Sequence, residues 1–323
     1  MKTLDELKEF YTNELSADLQ QMEAKRKQVI QNALIVVGAI GVLGLIGAGV
    51  MVSQGAPPLM FIFVLVGCLI IGGIASAAIG KGYKAEFKQR IITKIVQFAE
   101  PGLSYYPTEK IDKYTFKESK LFTQGIDRYR GEDLVRGRID KTEIVFSEVH
   151  AEYKTTSRDS KGRTQTHWHT IFKGLFFIAD FNKHFQGQTL VLPDTAESLF
   201  GSFGKMLQSW NIGRPDLIKL EDPEFEREFV VYGSDQIEAR YILSTSLMRR
   251  ILDFKQKTGT KIYLSFTGSK VYVAVPINRN MFEPKYFSSV SDFSPILDYY
   301  RDLIFAVGIV DDLNLNTRIW TKE

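Results

Sequence analysis

The chain has 323 residues and a formal net charge of +3, which is too small a basic excess to indicate a nucleic-acid partner. Its single cysteine, Cys68, excludes an intramolecular disulfide and any zinc or iron–sulfur site built from several cysteines. The average composition conceals two different parts, because residues 31–80 carry no charge whereas the rest is polar, charged and aromatic.

The N-terminal segment, residues 1–32, is predicted to be an amphipathic cytoplasmic helix. Residues 3–30 contain neither glycine nor proline, and one face carries apolar residues at helical spacing. These residues are Leu4, Leu7, Tyr11, Leu15, Leu19 and Met22. Such a stripe needs a partner, which is the protein's own cytoplasmic domain, a second copy of the segment, or another protein.

Residues 33–80 are predicted to form a transmembrane helical hairpin. Residues 33–52 and 59–80 are apolar runs, each long enough to span a bilayer core of about 30 Å. The link between them contains Gly55, Pro57 and Pro58, which favour a tight turn. Small residues spaced by four predict close packing, either between the two helices or also between copies. They are Gly44 with Ala48, Gly73 with Ala77, and the series Gly72, Ser76 and Gly80.

Basic residues flank both runs, whereas the connecting loop is uncharged. Lys25, Arg26 and Lys27 precede the first run; Lys81, Lys84, Lys88, Arg90 and Lys94 follow the second. By the positive-inside rule, the pattern predicts a two-helix plasma-membrane protein with both termini in the cytoplasm. The expected partners are the bilayer itself and its anionic headgroups, near Lys81, Lys84, Lys88 and Arg90.

Residues 81–132 are predicted to be a juxtamembrane helical connector, and residues 133–323 a cytoplasmic α+β domain with a mainly antiparallel sheet. Strand-favouring stretches at 134–139, 142–153, 167–181, 188–192, 229–232, 261–266 and 270–275 carry this prediction. Helices are predicted at 195–210, 236–257 and 295–310. Hairpins dominate the pattern, and hairpins join antiparallel strands.

His150, His167 and His169 are the strongest candidate metal ligands in the sequence. His167 and His169 share a strand face, and a hairpin centred between Ser160 and Lys161 would add His150 and Glu152 to that face. A register change of one residue would separate them. We therefore interpret them as an exposed polar face and predict no bound metal.

The predicted hairpin tip is basic, with Lys154, Arg158, Lys161 and Arg163 opposed only by Asp159. It is either a solvated loop or a contact for phosphate headgroups or an acidic partner. No phosphate-binding glycine loop, dinucleotide fingerprint or Gly-x-Ser-x-Gly elbow occurs in the sequence. We accordingly assign no catalytic, cofactor-binding or metal-binding residue.

Three phrases carry a family resemblance: residues 171–185 (IFKGLFFIADFNKHF), 229–241 (FVVYGSDQIEARY), and VAVP at 273–276 followed by FEP at 282–284. The sequence resembles a bacterial family of uncharacterised two-helix membrane proteins that carry a cytoplasmic domain of unknown function. The resemblance covers roughly residues 100–320 and the hairpin. It implies no site residues.

The sequence thus favours a membrane-anchored scaffold or interaction module, rather than an enzyme, at the cytoplasmic face. It would work as a homo-oligomer or with another membrane protein. The alternatives are a membrane-associated enzyme, such as a hydrolase, and a minimal transport or sensing component. Neither apolar run contains an ionisable residue, which argues against a transport pathway.

Overall fold

The computed structural model describes residues 2–55, 57–158, 162–181, 186–194 and 216–316. The chain divides into two compact units. The first comprises Met1–Phe98 with Phe282–Tyr300, and the second comprises Ala99–Met281 with Arg301–Glu323. The helix predicted at 195–210 lies outside the described residues.

The first unit is built on two long helical segments. One runs through α1 (Leu4–Phe10), a π-helical turn (Tyr11–Leu15) and α2 (Ser16–Ser53); the other runs through α3 (Pro58–Phe87), a second π-helical turn (Lys88–Ile92) and α4 (Thr93–Ala99). The helical stretches Leu4–Ser53 and Leu59–Ala99, of 50 and 41 residues, are each long and apolar enough to cross a membrane. The predicted pair of apolar helices is confirmed. Each is longer than the ~20 residues that crossing a bilayer core requires.

Residues of two predicted small-residue faces lie between these helices. A Cβ atom added at Gly44 would overlap the Sγ of Cys68, and Ala48 is buried. Gly72 likewise faces Val37. A Cβ atom at Gly73, in contrast, would meet nothing within 4 Å, so the second small-residue face is not used between α2 and α3.

Most of the apolar stripe of the N-terminal segment is buried against other residues of its own chain. Leu7, Leu15, Leu19 and Met22 are buried within the first unit. Aromatic contacts close the same region: Phe10 stacks on Phe98 with ring centroids 4.2 Å apart, and Tyr11 meets Phe293 edge-on at 5.3 Å. The buried part of the stripe is therefore not a free surface for assembly, whereas Leu4 at its start is 49% exposed.

The basic residues expected at the headgroups are largely engaged in ion pairs. Lys88 is 1% exposed, and its Nζ lies 3.0 Å from Glu283, which also binds Lys84 at 2.6 Å. Arg90 pairs with Asp18 and with Glu86. The headgroup prediction is thus wrong for Lys88, because its ammonium group is buried against a carboxylate supplied by a distant part of the chain. Lys81 remains exposed.

The second unit contains a sheet of nine antiparallel strands in the order β1-β2-β3-β4-β9-β8-β5-β7-β6. Its strands are β1 (Leu103–Tyr106), β2 (Arg128–Ile139), β3 (Thr142–Arg158), β4 (Thr164–Asp180), β5 (Gln188–Pro193), β6 (Asp216–Ile218), β7 (Phe229–Gly233), β8 (Tyr263–Thr267) and β9 (Lys270–Pro276). Its helices are α5 (Lys113–Glu118), α6 (Pro223–Glu228), α7 (Gln236–Ile242) and α8 (Thr245–Thr258). The last helix, α9 (Phe293–Asp312), has residues in both units. The predicted α+β class and antiparallel sheet are confirmed.

Both faces of the central strands are buried. Phe172, Phe176 and Val149 lie in a core cluster on one face, whereas Phe146 and Phe177 are buried on the other. Large apolar side chains are therefore buried on both faces of β3 and β4, which are interior strands of the sheet.

The strands begin earlier than the sequence predicted. β1 and the first residues of β2 lie within the segment predicted to be a helical connector. The start of β2 is polar and contains Gly131, so its sequence lacks strand preference. It is extended because it pairs with β3, for example Arg130 opposite His150, which is a tertiary effect.

Candidate interaction site on a β-ribbon

β3 and β4 extend beyond the strands on either side of them. β2 pairs with β3 only as far as Glu152, and β9 pairs with β4 only as far as Gly174. Residues 153–158 and 164–172 therefore form a two-stranded ribbon that no other described strand flanks. We call these residues the ribbon.

A β-bulge at the base of the ribbon sets its register. Ala151 lies opposite Phe172 and Glu152 opposite Thr170, so Ile171 is an extra residue on β4. The ribbon pairs Tyr153 with His169, not Glu152 with His169 as a hairpin centred between Ser160 and Lys161 requires. The register thus differs by one residue from that arrangement. His150 lies on one face of the ribbon, and His167 and His169 lie on the other.

The face that carries His169 is a small aromatic and hydroxyl surface. The rings of Tyr153 and His169 stack with centroids 4.8 Å apart, and the Thr155 hydroxyl lies 2.8 Å from His169 Nε2. His167 is directly opposite Thr155 on the same face. All four side chains lie beyond the pairing with β2 and β9.

The opposite face is a network of charges around Trp168. The Arg128 guanidinium lies 3.6 Å from the centroid of the Trp168 ring, a distance at which cation–π attraction is favourable. Arg130 donates to Glu152 at 2.7 Å. His150 lies 3.7 Å from the same carboxylate. Burial lowers the pKa of His150 below its ordinary value, although Glu152 opposes the shift.

His150 also contacts a hydroxyl, which raises the question of nucleophilic catalysis. Its Nε2 lies 3.4 Å from Thr170 Oγ1 and 3.7 Å from Glu152 Oε1. A nucleophile–base–acid series uses the two different ring nitrogens, one for each neighbour. Because both contacts use Nε2, this group does not have the geometry of a catalytic triad.

The outer edge of β4 in the ribbon exposes backbone hydrogen-bonding groups. The Asp127 N–H donates to the Glu152 carbonyl at 2.9 Å, so the backbone of Glu152 points away from β4. In an antiparallel pair, the residue opposite also points outward. Thr170 is that residue, and by alternation Trp168, Thr166 and Thr164 share its direction. Their N–H and C=O groups face away from β3, and no described strand covers them.

The outer edge of β3 differs in length and charge. The backbone N–H of Lys154 donates to Asp127 Oδ2 at 2.8 Å, which leaves the outward positions Thr156 and Arg158. Lys154 and Arg158 both lie on this edge, and lysine or arginine on an edge strand discourages pairing with another chain. Residues 164–172, in contrast, contain no Asp, Glu, Lys or Arg. The β4 edge is therefore better suited than the β3 edge to pairing with a strand of another chain.

The predicted basic tip is described only in part. Arg158 Nε donates to the Gly162 carbonyl at 3.2 Å. Lys154 is exposed and lies opposite Trp168, whereas Lys161 lies outside the described residues. The basic residues near the tip are evident from the sequence, whereas the uncovered edge of β4 was not predicted. The run of uncharged, strand-favouring residues from Thr164 to Phe172 is the signal that could have revealed it.

Comparisons with known proteins identify a domain without assigning an activity. Residues 170–315 match the family model DUF3137, described as a protein of unknown function. The domain of unknown function that the resemblance implied is therefore confirmed, and all three quoted phrases lie within the match. No curated protein matches the chain.

One matching solved structure is the crystal structure of the mycobacterial trehalose monomycolate transport factor A, TtfA. It is 13% identical, and the match covers 62% of this chain and 85% of that chain with a TM-score of 0.29. A similarity at this level carries no argument about the fold or the function of this chain.

Proposed function

We propose that this chain, which carries a DUF3137 domain behind two apolar helices, is a membrane-anchored interaction module. The hairpin holds it in the plasma membrane with both termini in the cytoplasm, and the ribbon contacts a protein partner. The single observation that carries the proposal is the uncovered β4 edge at Thr164, Thr166, Trp168 and Thr170. Such an edge is a template on which another extended segment adds a strand.

Two further features support a binding role for the ribbon. An isolated two-stranded ribbon is marginally stable in water, so it gains from being covered. Trp168 is 40% exposed beside Arg128, and tryptophan and arginine are enriched among the residues that dominate binding energies. The ribbon therefore offers backbone groups for affinity and an aromatic anchor for specificity.

The alternative, a membrane-associated enzyme, would need titratable groups that converge in a pocket. A cavity of about 280 Å³ lies at the base of the ribbon, lined in part by Arg130, Glu148, His150 and Lys173. The histidine in this cavity, His150, contacts both Thr170 and Glu152 through Nε2, which does not suit a catalytic triad. The cavity is therefore weaker support for an enzyme than the uncovered β4 edge is for an interaction module.

The proposal includes contact with anionic headgroups, but through fewer basic residues than the sequence predicted. With Lys88 buried, the exposed cations beside the apolar runs include Lys81, Lys25 and Lys27, the last with a 71% exposed side chain. Each cation near an anionic surface is worth about 1 kcal/mol. These residues support the same orientation as the positive-inside rule.

Sidedness provides one prediction. In a Cys68→Ala background, a cysteine at Gln54, in the turn between α2 and α3, should react with a membrane-impermeant maleimide added to intact cells. A cysteine at exposed Glu9 should react only after permeabilisation. The reverse pattern, or equal labelling of both sites in intact cells, would refute the proposed topology.

Partner contact provides a second prediction. A photo-crosslinking residue at exposed Gln165, on β4, should form protein adducts in native membranes. The same residue at Ser157, directly opposite on β3, should form few. Adducts with another protein or with a second copy both support the module.

Proline variants provide a matched control for the edge. Thr166→Pro removes an outward N–H from β4, whereas Thr156→Pro removes one from β3 at the paired position. Thr166→Pro should lower the Gln165 adduct about fivefold or more, as expected for losing at least one hydrogen bond, and Thr156→Pro should leave it unchanged. Equal effects of the two variants would mean that the ribbon as a whole, and not the β4 edge, makes the contact.

A further inference from the structure

We infer that the β4 edge pairs with the β4 edge of a second copy of this chain, in antiparallel register about His167. The inference rests on the proposed function, because it names the partner that occupies the edge. It follows from the order of residues along Thr164–Phe172 and from the backbone directions established at Glu152 and Thr170.

The outward residues are self-complementary in one register. When His167 lies opposite His167 of the other copy, Thr166 faces Trp168 and Thr164 faces Thr170. All of these outward residues then meet each other as hydrogen-bonded pairs, so each exposed N–H and C=O finds a partner. A shift of one residue would place outward groups opposite inward ones and would lose this match.

The side chains are compatible with the same register. The edge contains no Asp, Glu, Lys or Arg, so a second copy brings no fixed like charges into direct opposition. Pairing through the β3 edge would instead bring together the two copies of Lys154 and Arg158. On the Trp168 face, the indole ring would lie beside Thr166 of the other copy, and aromatic–β-branched pairs of this kind stabilise sheets.

The two-fold symmetry of the pairing and the membrane anchor favour a second copy of this chain, rather than an unrelated protein, as the partner of the β4 edge. An antiparallel self-pair is isologous, so it forms a closed two-fold contact and stops at a dimer. Two copies anchored in one bilayer also meet at a high effective concentration, which favours a contact that would be weak in solution. The edge needs no other molecule to satisfy its hydrogen bonds.

The test uses the full chain in native membranes, with Cys68→Ala and one added cysteine. In the inferred register, His167 lies in a non-hydrogen-bonded pair with its own copy, where Cα atoms are about 4.5 Å apart and a disulfide can form. His167→Cys should therefore form a disulfide-linked dimer under mild oxidation. Gln165→Cys and His169→Cys lie on the same face, but two copies of either are displaced by four residues, roughly 13 Å, and should not link.

A mixed experiment fixes the register. Co-expressed Gln165→Cys and His169→Cys chains should form a heterodimer, because these positions lie opposite each other. Equal disulfide yields at all three single positions would indicate random collision and would overturn the inference. Adducts from Gln165 to another protein, with no His167 disulfide, would overturn it but leave the interaction module standing. Failure of both experiments would remove both proposals.

Discussion

Gly174→Ala should destabilise the second unit by about 3 kcal/mol or more. Gly174 lies on β4 opposite Pro276 of β9, with φ at +153°, where residues with a Cβ are strained. A Cβ atom at this position would overlap the Val275 carbonyl oxygen and would lie 2.5 Å from the Ile277 nitrogen. Both are backbone atoms, so no side-chain movement can relieve the overlap, and the β4–β9 pairing must separate.

The matched control is Gly125→Ala. Gly125 lies in the same unit, but a Cβ atom there would meet nothing within 4 Å. Thermal unfolding of the full chain in detergent should show a fall of several degrees or more for Gly174→Ala and almost no change for Gly125→Ala. Equal melting temperatures for the two variants would contradict the close approach of β4 and β9. The glycine in the FKGL phrase of the family resemblance is explained by this approach.

Acid should destabilise the first unit through Glu23. The Arg26 guanidinium, 2.7 Å away, and the N–H of Val290, 3.1 Å away, hold the pKa of Glu23 at about 2, well below its ordinary value of 4.5. The folded state therefore stabilises the ionised form of Glu23 more than the unfolded state does. The resulting stabilisation is present above pH 4.5 and is lost as the pH falls from 4.5 towards 2.

Lowering the pKa of Glu23 from 4.5 to about 2 corresponds to a stabilisation of the folded state on the order of 2–4 kcal/mol at neutral pH. The Glu23 side chain is 13% exposed, so solvent screens the interaction only weakly. Glu23→Gln keeps the shape but removes the charge. At pH 7 the variant should unfold more easily than the unmodified chain, and the difference should vanish near pH 2.

The control for this prediction is Glu9→Gln, at an exposed position on α1. Chemical unfolding of the detergent-solubilised chain, followed between pH 7 and pH 2, should show the same pH dependence for Glu9→Gln as for the unmodified chain. A Glu23→Gln variant with an unchanged pH dependence would mean that other carboxylates, such as Asp18 or Glu86, account for the acid response.

The parts of the fold that the sequence predicted are those governed by local pattern. Two long uncharged runs predicted the apolar helices, and alternating strand-favouring stretches predicted the antiparallel sheet. Thr267, Gly268 and Ser269, between two strand-favouring stretches, are typical of a hairpin turn, and the structure joins β8 to β9 there. Aspartate is a residue type that favours helix N-caps, and the Asp235 side chain accepts from the N–H groups of Ile237 and Glu238.

The parts that the sequence could not predict depend on residues far apart in the chain. Lys88 looked like a headgroup ligand because its partner, Glu283, lies in a different segment. The early start of β2 depends on pairing with β3. The register of the ribbon depends on one extra residue, Ile171, which no periodicity in the sequence reveals, so the relative faces of His150 and His169 were open until the bulge was known.

The bulge at Ile171 also determines which side chains of β4 lie on each face of the ribbon. Phe172 and Phe176 point towards the core cluster, and uninterrupted alternation would carry Trp168 onto that same face. The extra residue reverses the alternation and places Trp168 beside Arg128 instead. Losing Ile171 would therefore exchange the two faces of β4 in the ribbon without altering any of their residues. Relatives that differ by one residue here would present histidines where this chain presents tryptophan, so length at this point is as informative as amino-acid identity.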